Sequence, residues 1–212
     1  MKKQIWKPGT LLAPVPPALV SCGTLEHPNV LTVGWTGIVN TIPAMTYISL
    51  RPERYSYQLI KETGEFVINL TGKNLVRAAD FCGVRSGREV DKFSHCHLTP
   101  LPASQVSAPV IRESPVSLEC RVEQALPLGS HEMFLARILA VDVDEAAVDE
   151  KGRLCMERCG LVAYVHGAYY ELGRQLGTFG YTVQKKKKPP VQKAPAGGRG
   201  DRRHGAKQTD KG

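Results

Sequence analysis

The sequence predicts a mostly β domain, a barrel or a sandwich, with a few short helices. Short runs of β-branched, aromatic and aliphatic residues recur at close spacing between residues 18 and 172. The alternating strand–helix rhythm of a doubly wound sheet is missing. The G-x-G-x-x-G nucleotide fingerprint and the G-x-x-x-x-G-K-[ST] phosphate loop are missing as well, which excludes the commonest modes of nucleotide binding.

The first third of the chain is predicted to hold four strands and one helix. A proline-rich, extended lead-in at residues 14–17 comes first. Ser56 is a candidate first-turn residue of the helix, and Leu59 and Ile60 supply its buried side. The strands are predicted at residues 18–24, 30–36, 44–50 and 65–70, and the helix at residues 55–62.

The rest of the chain is predicted to add two short helices and four strands. The clearest alternation lies at 115–126, where Val116, Leu118, Cys120 and Val122 share one face and Ser117, Glu119, Arg121 and Glu123 the other. A turn at 127–129 joins this strand to the next in a hairpin. The helices are predicted at 73–81 and around 89–93, flanking a polar loop at 82–88; the remaining strands are predicted at 132–143, 161–166 and 169–172.

Charge and composition divide the chain in two. The 212 residues carry 28 Lys and Arg against 20 Asp and Glu, a formal charge of +8. Ten of the basic and two of the acidic residues lie between 184 and 212, which leaves the rest neutral. We therefore expect a folded domain at 1–183 and a basic, disordered tail at 184–212. An alternative function, non-specific binding of nucleic acid or an acidic partner, would belong to that tail.

The apolar residues and cysteines suggest a compartment. No run of about 18 apolar residues predicts a transmembrane helix, and Lys2 and Lys3 precede no uninterrupted apolar segment of a signal peptide. Six cysteines are too few for a disulfide scaffold in a chain of this length. A cytoplasmic protein with reduced thiols is the resulting expectation.

The segment around Trp35 has an unusual composition for a core strand. Gly34 and Gly37 bracket Trp35, and glycines within strands often mark a bulge or a close approach of the backbone to a ligand. The ring would then offer a flat platform to a planar ligand. A core tryptophan at a strand bend is the alternative interpretation.

Two further segments suit an anion. Arg51 ends a predicted strand just before a helix start that carries Ser56 and Tyr57. A guanidinium, hydroxyls and free helix N-terminal amides together favour a phosphate group. The loop at 85–88 and Lys92 add small residues and cations beside another helix start. Each segment alone could be a solvated loop, but together with Trp35 they indicate a nucleotide-like cofactor.

These residues resemble the flavin reductase-like family, its flavoredoxin branch in particular. The resemblance keeps its order from about residue 6 to residue 184. The matching motifs are Asn29-x-x-Thr32-x-Gly34-Trp35, Ser49-x-Arg51-Pro52 with Ser56-Tyr57, the run EFVINL, Cys82-Gly83-x-x-Ser86-Gly87-x-x-x-Asp91-Lys92-Phe93, Gly129-Ser130-His131-x-Met133-Phe134 and Tyr164-x-His166-Gly167.

The resemblance implies an FMN-binding split β-barrel that is usually a homodimer with FMN near the subunit interface. It implies that the flavin carries the redox chemistry while the protein binds and orients it. Lys92 is the best candidate for a cation that raises the flavin potential, with backbone amides near Trp35 and Thr36 second. Carried over by position, Asn29, Trp35 and Thr36 would line the ring; Ser49, Arg51, Ser56 and Tyr57 would hold the phosphate end; Ser86 and Lys92 would complete the anion site or face the flavin; and Tyr164 would add a ring contact.

The electron donor is less firmly implied. His131 stands where many flavin reductases have the histidine that borders the nicotinamide pocket, but Ser130 replaces an aspartate and Ala136 a glycine of that motif. These departures favour an electron carrier over efficient use of NAD(P)H. The donor is expected to be NAD(P)H or a redox partner protein.

No metal site is predicted. Cys155 and Cys159, followed by His166, do not have a standard zinc spacing, and His95, Cys96 and His97 are adjacent residues whose side chains point apart. By default, each of the six cysteines is expected to be a small, buried apolar residue. A redox-active thiol at Cys82, beside the proposed cofactor loop, is the alternative for that residue.

Overall fold

A seven-stranded antiparallel sheet forms the body of the protein, in a computed structural model that describes residues 1–184. Its strands are β1 (Ala18–Gly23), β2 (Pro28–Val33), β3 (Thr36–Thr41), β4 (Ala44–Leu50), β5 (Glu65–Asn69), β8 (Val116–Pro127) and β9 (Glu132–Val143). They lie in the order β2-β1-β5-β8-β9-β4-β3, which confirms the mostly β fold class.

Two small sheets have two strands each. One is formed by β6 (Pro100–Leu101) with β7 (Val110–Ile111), and the other by β10 (Val162–Val165) with β11 (Ala168–Glu171).

The sheet curls until its edges approach each other. β2 and β3 are the two edge strands, yet only Gly34 and Trp35 connect them. Two extended residues span no more than about 10 Å, so the edges must lie side by side at this point. The prediction of one strand over 30–36 is therefore wrong, because the chain bends after Val33 and Thr36 opens a new strand.

Helix α1 (Tyr55–Thr63) packs one face into the barrel. Ser56, Tyr57 and Ile60 are buried, and Gly64 ends the helix in the left-handed conformation at φ 68°. Its N–H donates to the carbonyl of Ile60 at 2.8 Å, which satisfies one of the last helical acceptors. The helix predicted at 55–62 is confirmed. The core on which it packs consists of Ala18, Val20, Cys22, Leu31, Val33, Ile48, Leu50, Phe66, Ile68, Cys120, Phe134 and Ala136.

Two more helices, α2 (Val76–Val84) and α3 (Lys92–His95), cover the outer face of β1 and β2. A second core lies between them and includes Leu19, Val30 and Phe93. The polar loop predicted at 82–88 begins late, because α2 continues to Val84. The helix predicted around 89–93 starts at Lys92, where the Asp91 carboxylate accepts a hydrogen bond from the Ser94 N–H at 3.1 Å.

The predicted hairpin of β8 and β9 is confirmed, but the polar face of β8 is not exposed at its start. Ser117 and Glu119 are buried, whereas Arg121 and Glu123 are exposed. The loop that contains Ser104 and Gln105 covers this part of the strand. The alternation sets the two faces correctly, but a loop distant in sequence decides which polar residues meet water.

The closing pair of strands predicted at 161–166 and 169–172 is confirmed as β10 and β11. Val15 of the lead-in bridges Tyr164 of β10. One compact unit spans Met1–Gly173. The prediction of a basic, disordered tail concerns residues that, apart from Gln184, lie outside those described. In the described part of the chain, no helix is long and apolar enough to cross a membrane.

Candidate functional site

Three adjoining cavities form a groove along β2, called here the β2 groove. The first, of about 390 Å³, lies between α1 and the loop after α2. The second, of about 190 Å³, is lined by the end of β4. The third, of about 310 Å³, lies between Trp35 and β10. Thr32 lines all three cavities, so the groove is continuous past the middle of β2.

One end of the groove is rich in cations. Arg51 and Arg54 flank the start of α1 and line both the first and second cavities, while Arg85 lines the first from the opposite wall. All three are exposed or partly exposed, and none is in an ion pair with another described residue. Guanidinium groups that converge without carboxylate partners can bind an anion such as a phosphate.

Hydroxyls lie beside these cations. Ser56 and Ser86 both line the first cavity. The Ser56 hydroxyl accepts a hydrogen bond from the Asn29 amide at 2.6 Å, which fixes its direction. Gly87 packs tightly here, since a Cβ on it would lie 2.1 Å from the side-chain amide oxygen Oδ1 of Asn29. The close contact brings the loop after α2 against the start of β2.

Lys92 is buried at the floor of the first cavity and is only 4% exposed. Its ammonium donates to the carbonyls of Val30 at 2.8 Å and Cys82 at 3.0 Å, which uses two of its three donors. Burial, with a smaller contribution from the nearby Arg54 charge, lowers the pKa of Lys92. A negative ligand in the cavity would offset that burial, since the opposite charge favours the ammonium form.

The other end of the groove is aromatic. Trp35 is 39% exposed and lines the second and third cavities. Its carbonyl accepts from the Ser49 N–H at 2.9 Å, which holds the bend between β2 and β3 to the end of β4. Tyr164 lines the third cavity, and its ring packs against Tyr169 with centroids 5.4 Å apart. The interpretation of Trp35 as a core residue is wrong, because 39% of it is exposed.

Ser49 and His131 lie between the two ends. Both line the second cavity together with Arg51. His131 follows the β8–β9 turn, and its Nδ1 lies 2.9 Å from the Ser130 hydroxyl. The structure thus brings Trp35, Ser49, Arg51, Ser56, Ser86, Lys92, His131 and Tyr164 of the sequence-predicted residues to the walls of one groove.

Three predicted residues have other surroundings. Asn29 is the second residue of β2, at the cationic end and roughly 13 Å of extended strand away from Val33, so it supports Ser56 and does not adjoin Trp35. The Thr36 hydroxyl donates to the Tyr47 carbonyl at 2.5 Å, within the β3–β4 pair. The Tyr57 hydroxyl donates to Glu132 at 2.5 Å and accepts from Lys61 at 2.8 Å, outside the groove.

Sequence reasoning missed Arg54, Arg85 and Thr32 as wall residues. The signal for the two arginines was present, since both lie in the charged segments that predicted an anion site. Thr32 stands in the motif around Trp35 that carries the resemblance, but its place in the wall depends on the curl of the sheet, which no local pattern shows. Its hydroxyl donates to the Ala79 carbonyl at 2.5 Å, which joins β2 to α2.

The fold and the groove together define a class of proteins that bind an aromatic small molecule with an anionic group. The three cavities together fall within the range of about 300–1,000 Å³ that is usual for such ligands. The unpaired cations, hydroxyls and partly exposed indole fit a flavin mononucleotide, whose phosphate would lie at Arg51 and Arg54 and whose ring would extend toward Trp35.

Comparison with known proteins gives the family. The sequence profile of the flavin reductase like domain matches residues 11–173, so the chain belongs to the flavin reductase-like family, a flavin-binding family. The structure is similar to flavoredoxin of Desulfovibrio vulgaris (Miyazaki F), with 31% identity, a TM-score of 0.80, and coverage of 87% of this chain and 100% of that chain.

Two further relatives bear on fold and activity. A flavin reductase structure from Shewanella frigidimarina, described as having a split barrel domain, aligns with a TM-score of 0.70 and 23% identity over 79% of this chain and 86% of that one. The fold is a split β-barrel. An NADH-dependent FMN reductase of Streptomyces nodosus subsp. asukaensis is 29% identical over 64% of this chain and 72% of its own.

No metal centre accompanies the groove in the described part of the chain, where no three His, Cys, Asp or Glu side chains are grouped so that they could hold an ion. Cys155 and Cys159 are buried, and the Cys159 thiol donates to the Cys155 carbonyl at 3.9 Å.

Proposed function

We propose that the protein is an FMN-dependent oxidoreductase of the flavoredoxin type, which moves electrons from a nicotinamide or protein donor to an acceptor. The observation that supports this most directly is the polarity of the β2 groove, with unpaired guanidinium groups at one end and the exposed face of Trp35 at the other. Bound FMN would supply the redox chemistry by accepting and releasing electrons at its ring.

The cationic end holds the cofactor in this proposal. Arg51 and Arg54 approach the phosphate from the start of α1, and Arg85 and Ser86 approach it from the loop after α2. Ser56 donates its hydroxyl proton, since its oxygen already accepts from Asn29. Charge-assisted hydrogen bonds of this kind are about twice as strong as neutral ones.

The aromatic end orients the ring. Trp35 and Tyr164 offer apolar faces in the third cavity, and Gly34 leaves the backbone bare beside them. Lys92 keeps a positive charge at the floor of the first cavity, at the cationic end, where it would stabilise the bound phosphate. The chain supplies binding and electrostatics, and the reaction requires no dedicated acid–base pair.

His131 is proposed to border the site of the electron donor. It lines the second cavity, between the two ends of the groove. Of the two departures from the nicotinamide motif, Ala136 is fully buried in β9 and packs in the barrel core, away from that cavity. Ser130 is therefore the departure that bears on the donor, and its hydroxyl holds one ring nitrogen of His131. This placement favours direct use of NADH more than the sequence motif does.

A homodimer would cover the exposed side of the groove. Ile38 and Val39 of the edge strand β3, with Ile42 in the following turn, are exposed at 65%, 48% and 90%. They lie a few residues after Trp35 in the chain, so a second copy packed on β3 would also shield the Trp35 ring from solvent. Sedimentation of Ile38→Glu should then show a monomer. Leu128→Glu, at an exposed apolar position in the β8–β9 turn, should leave the dimer intact.

Titration of the apoprotein with FMN tests the proposal. We expect saturable quenching of flavin fluorescence with one FMN per chain and a yellow complex. Anaerobic mixing with NADH should bleach that complex within seconds if NADH is the direct donor. Bleaching only in the presence of a partner reductase would identify a carrier, and a chain that takes up no FMN would rule out the proposed function.

A further inference from the structure

A pair of cysteines brackets the loop that walls the β2 groove. Cys82 lies in α2 and lines the first cavity, and Cys96 follows α3. Their sulfur atoms are 4.0 Å apart, although the residues are 14 positions apart in the chain. Both are free thiols. The intervening residues include Arg85, Ser86 and Lys92, which are the groove's loop wall.

The two thiols differ in access. Cys82 is buried, with 1% exposure, whereas Cys96 is partly exposed. Cys96 also lines a separate cavity of about 630 Å³, on the other side of α2 from the groove, which opens between Arg77, His95 and His97. A small reagent can therefore reach Cys96 without entering the β2 groove.

We propose that Cys82 and Cys96 form a reversible disulfide by exchange with a low-molecular-weight disulfide, and that this bond locks the loop wall of the groove. The Cys96 thiolate attacks one sulfur of the reagent and releases the first small thiol. The Cys82 thiolate then attacks the Cys96 sulfur of the mixed disulfide and releases the second. Two protein thiols are oxidised, the reagent is reduced to two thiols, and the two protons remain with the products.

The geometry permits this bond with a small movement. A disulfide is about 2.05 Å long, so the sulfur atoms must close about 2 Å. Cys82 is fixed within a nine-residue helix, whereas Cys96 lies at the end of the four-residue α3, so α3 would carry the movement. Burial raises the pKa of Cys82 to about 12 and also raises that of Cys96. Exchange is therefore slow at neutral pH and faster as the pH rises.

The expected consequence for the groove rests on the proposed function. A disulfide would close a loop that holds Arg85, Ser86 and Lys92 and reduce its freedom before a ligand binds. The oxidised protein should then bind FMN at least about threefold more tightly than the reduced protein. Formation of the disulfide itself does not depend on FMN.

The test is incubation of the native, full-length chain with oxidised glutathione, followed by peptide mapping and FMN titration. We expect a linked Cys82–Cys96 peptide that dithiothreitol reverses, formed faster at higher pH. In Cys82→Ala, a buried position filled by a small apolar residue, Cys96 should accumulate the mixed disulfide with glutathione. Cys155→Ser, at a cysteine outside both cavities, should form the linked peptide like the parent protein.

Absence of the linked peptide from the folded parent protein would overturn the proposal, as would failure of Cys82→Ala to retain glutathione on Cys96. Equal FMN affinity in the oxidised and reduced proteins would overturn the coupling to the groove. A linked peptide in a chain that binds FMN in neither state would refute the proposed function and leave the disulfide site standing.

Discussion

Lys92 and Glu119 are buried to a similar degree, with 4% and 0% exposure, but they lie in contrasting surroundings. Glu119 accepts hydrogen bonds from the Ser104 N–H at 2.8 Å, the Ser104 hydroxyl at 2.9 Å and the Gln105 N–H at 2.6 Å. Lys92 donates to two carbonyls and borders a cavity.

We interpret this difference as follows: the Glu119 carboxylate stabilises the fold, whereas the Lys92 ammonium is available to interact with a bound anion. Burial would raise the pKa of Glu119, but the N–H groups of Ser104 and Gln105 outweigh it and lower that pKa. At Lys92 burial is the largest influence and outweighs the opposing effect of the nearby cysteines, so the pKa of Lys92 falls. Under the proposed function, an anion bound in the first cavity would offset the burial of Lys92.

Substitution of Glu119 should produce the largest change. In Glu119→Gln, the amide cannot serve the three donors of the covering loop, so we expect the free energy of unfolding to fall by about 3 kcal/mol. Affinity for FMN should stay within about twofold, because Glu119 does not line the groove. Urea denaturation and FMN titration measure the two quantities.

Glu123→Gln is the matched control on the same strand. Glu123 forms a partly exposed ion pair with Arg137 at 2.5 Å, so its substitution should cost no more than about 1 kcal/mol. If Glu119→Gln and Glu123→Gln destabilised the protein equally, Glu119 would not hold the covering loop.

Substitution of Lys92 should show the opposite pattern. Lys92→Met removes a buried charge but leaves two carbonyls without their donor, so stability should fall by only about 1 kcal/mol. FMN binding should weaken about 30-fold, since the cation below the groove is lost. Titration measures the affinity, and Lys151→Met, at an exposed site outside the groove, should bind normally. An unchanged affinity in Lys92→Met would assign Lys92 to the fold alone.

The aromatic end should contribute less than the cationic end. Trp35→Ala should weaken FMN binding about fivefold, because one partly exposed stacking face is removed. Riboflavin binding should weaken by the same factor, since the ring is common to both ligands. Trp6→Ala, at an exposed tryptophan that does not line the groove, is the control. A loss of FMN binding with riboflavin binding retained would place the phosphate at the wrong end.

The smallest effect is expected at Asp142, beside Glu119. Burial and the Glu119 carboxylate raise the pKa of Asp142, and Oδ2 has no hydrogen-bond partner among the described residues. A raised carboxyl pKa costs stability above that pKa, and the cost disappears as the pH falls toward the ordinary value of 3.8. The free energy of unfolding of Asp142→Asn should therefore exceed that of the parent protein by about 0.5 kcal/mol at pH 7 and equal it near pH 4. Thermal unfolding at the two pH values tests this, and a loss at pH 7 would contradict it.

Glu119 and Lys92 also show which structural features could be predicted from the sequence. Alternation along β8 predicted the strand and its two faces, but it could not show that Glu119 is buried, because the loop that covers it lies outside the strand. Lys92 was found because it stands in a motif. Local pattern predicts which residues share a face, and packing decides which of those residues are buried.

The same limit applies to the predicted site residues that do not line the groove. Trp35 was singled out by its flanking glycines, and Arg51 and Ser56 by their place at a helix start, which are local signals. Thr36 and Tyr57 are adjacent to true wall residues, but their side chains point to Tyr47 and Glu132. A carry-over by position cannot show the direction of a side chain at a strand bend or in the first turn of a helix.

The central claim is that Arg51 and Arg54 bind the phosphate of FMN. The most direct measurement compares FMN with riboflavin, which lacks the phosphate, in the double variant Arg51→Ala/Arg54→Ala. We predict that the dissociation constant for FMN rises about 100-fold or more while that for riboflavin changes less than about twofold. Arg112→Ala, at an exposed arginine outside the groove, should bind both ligands normally. Equal weakening of both ligands, or no weakening of either, would contradict the account.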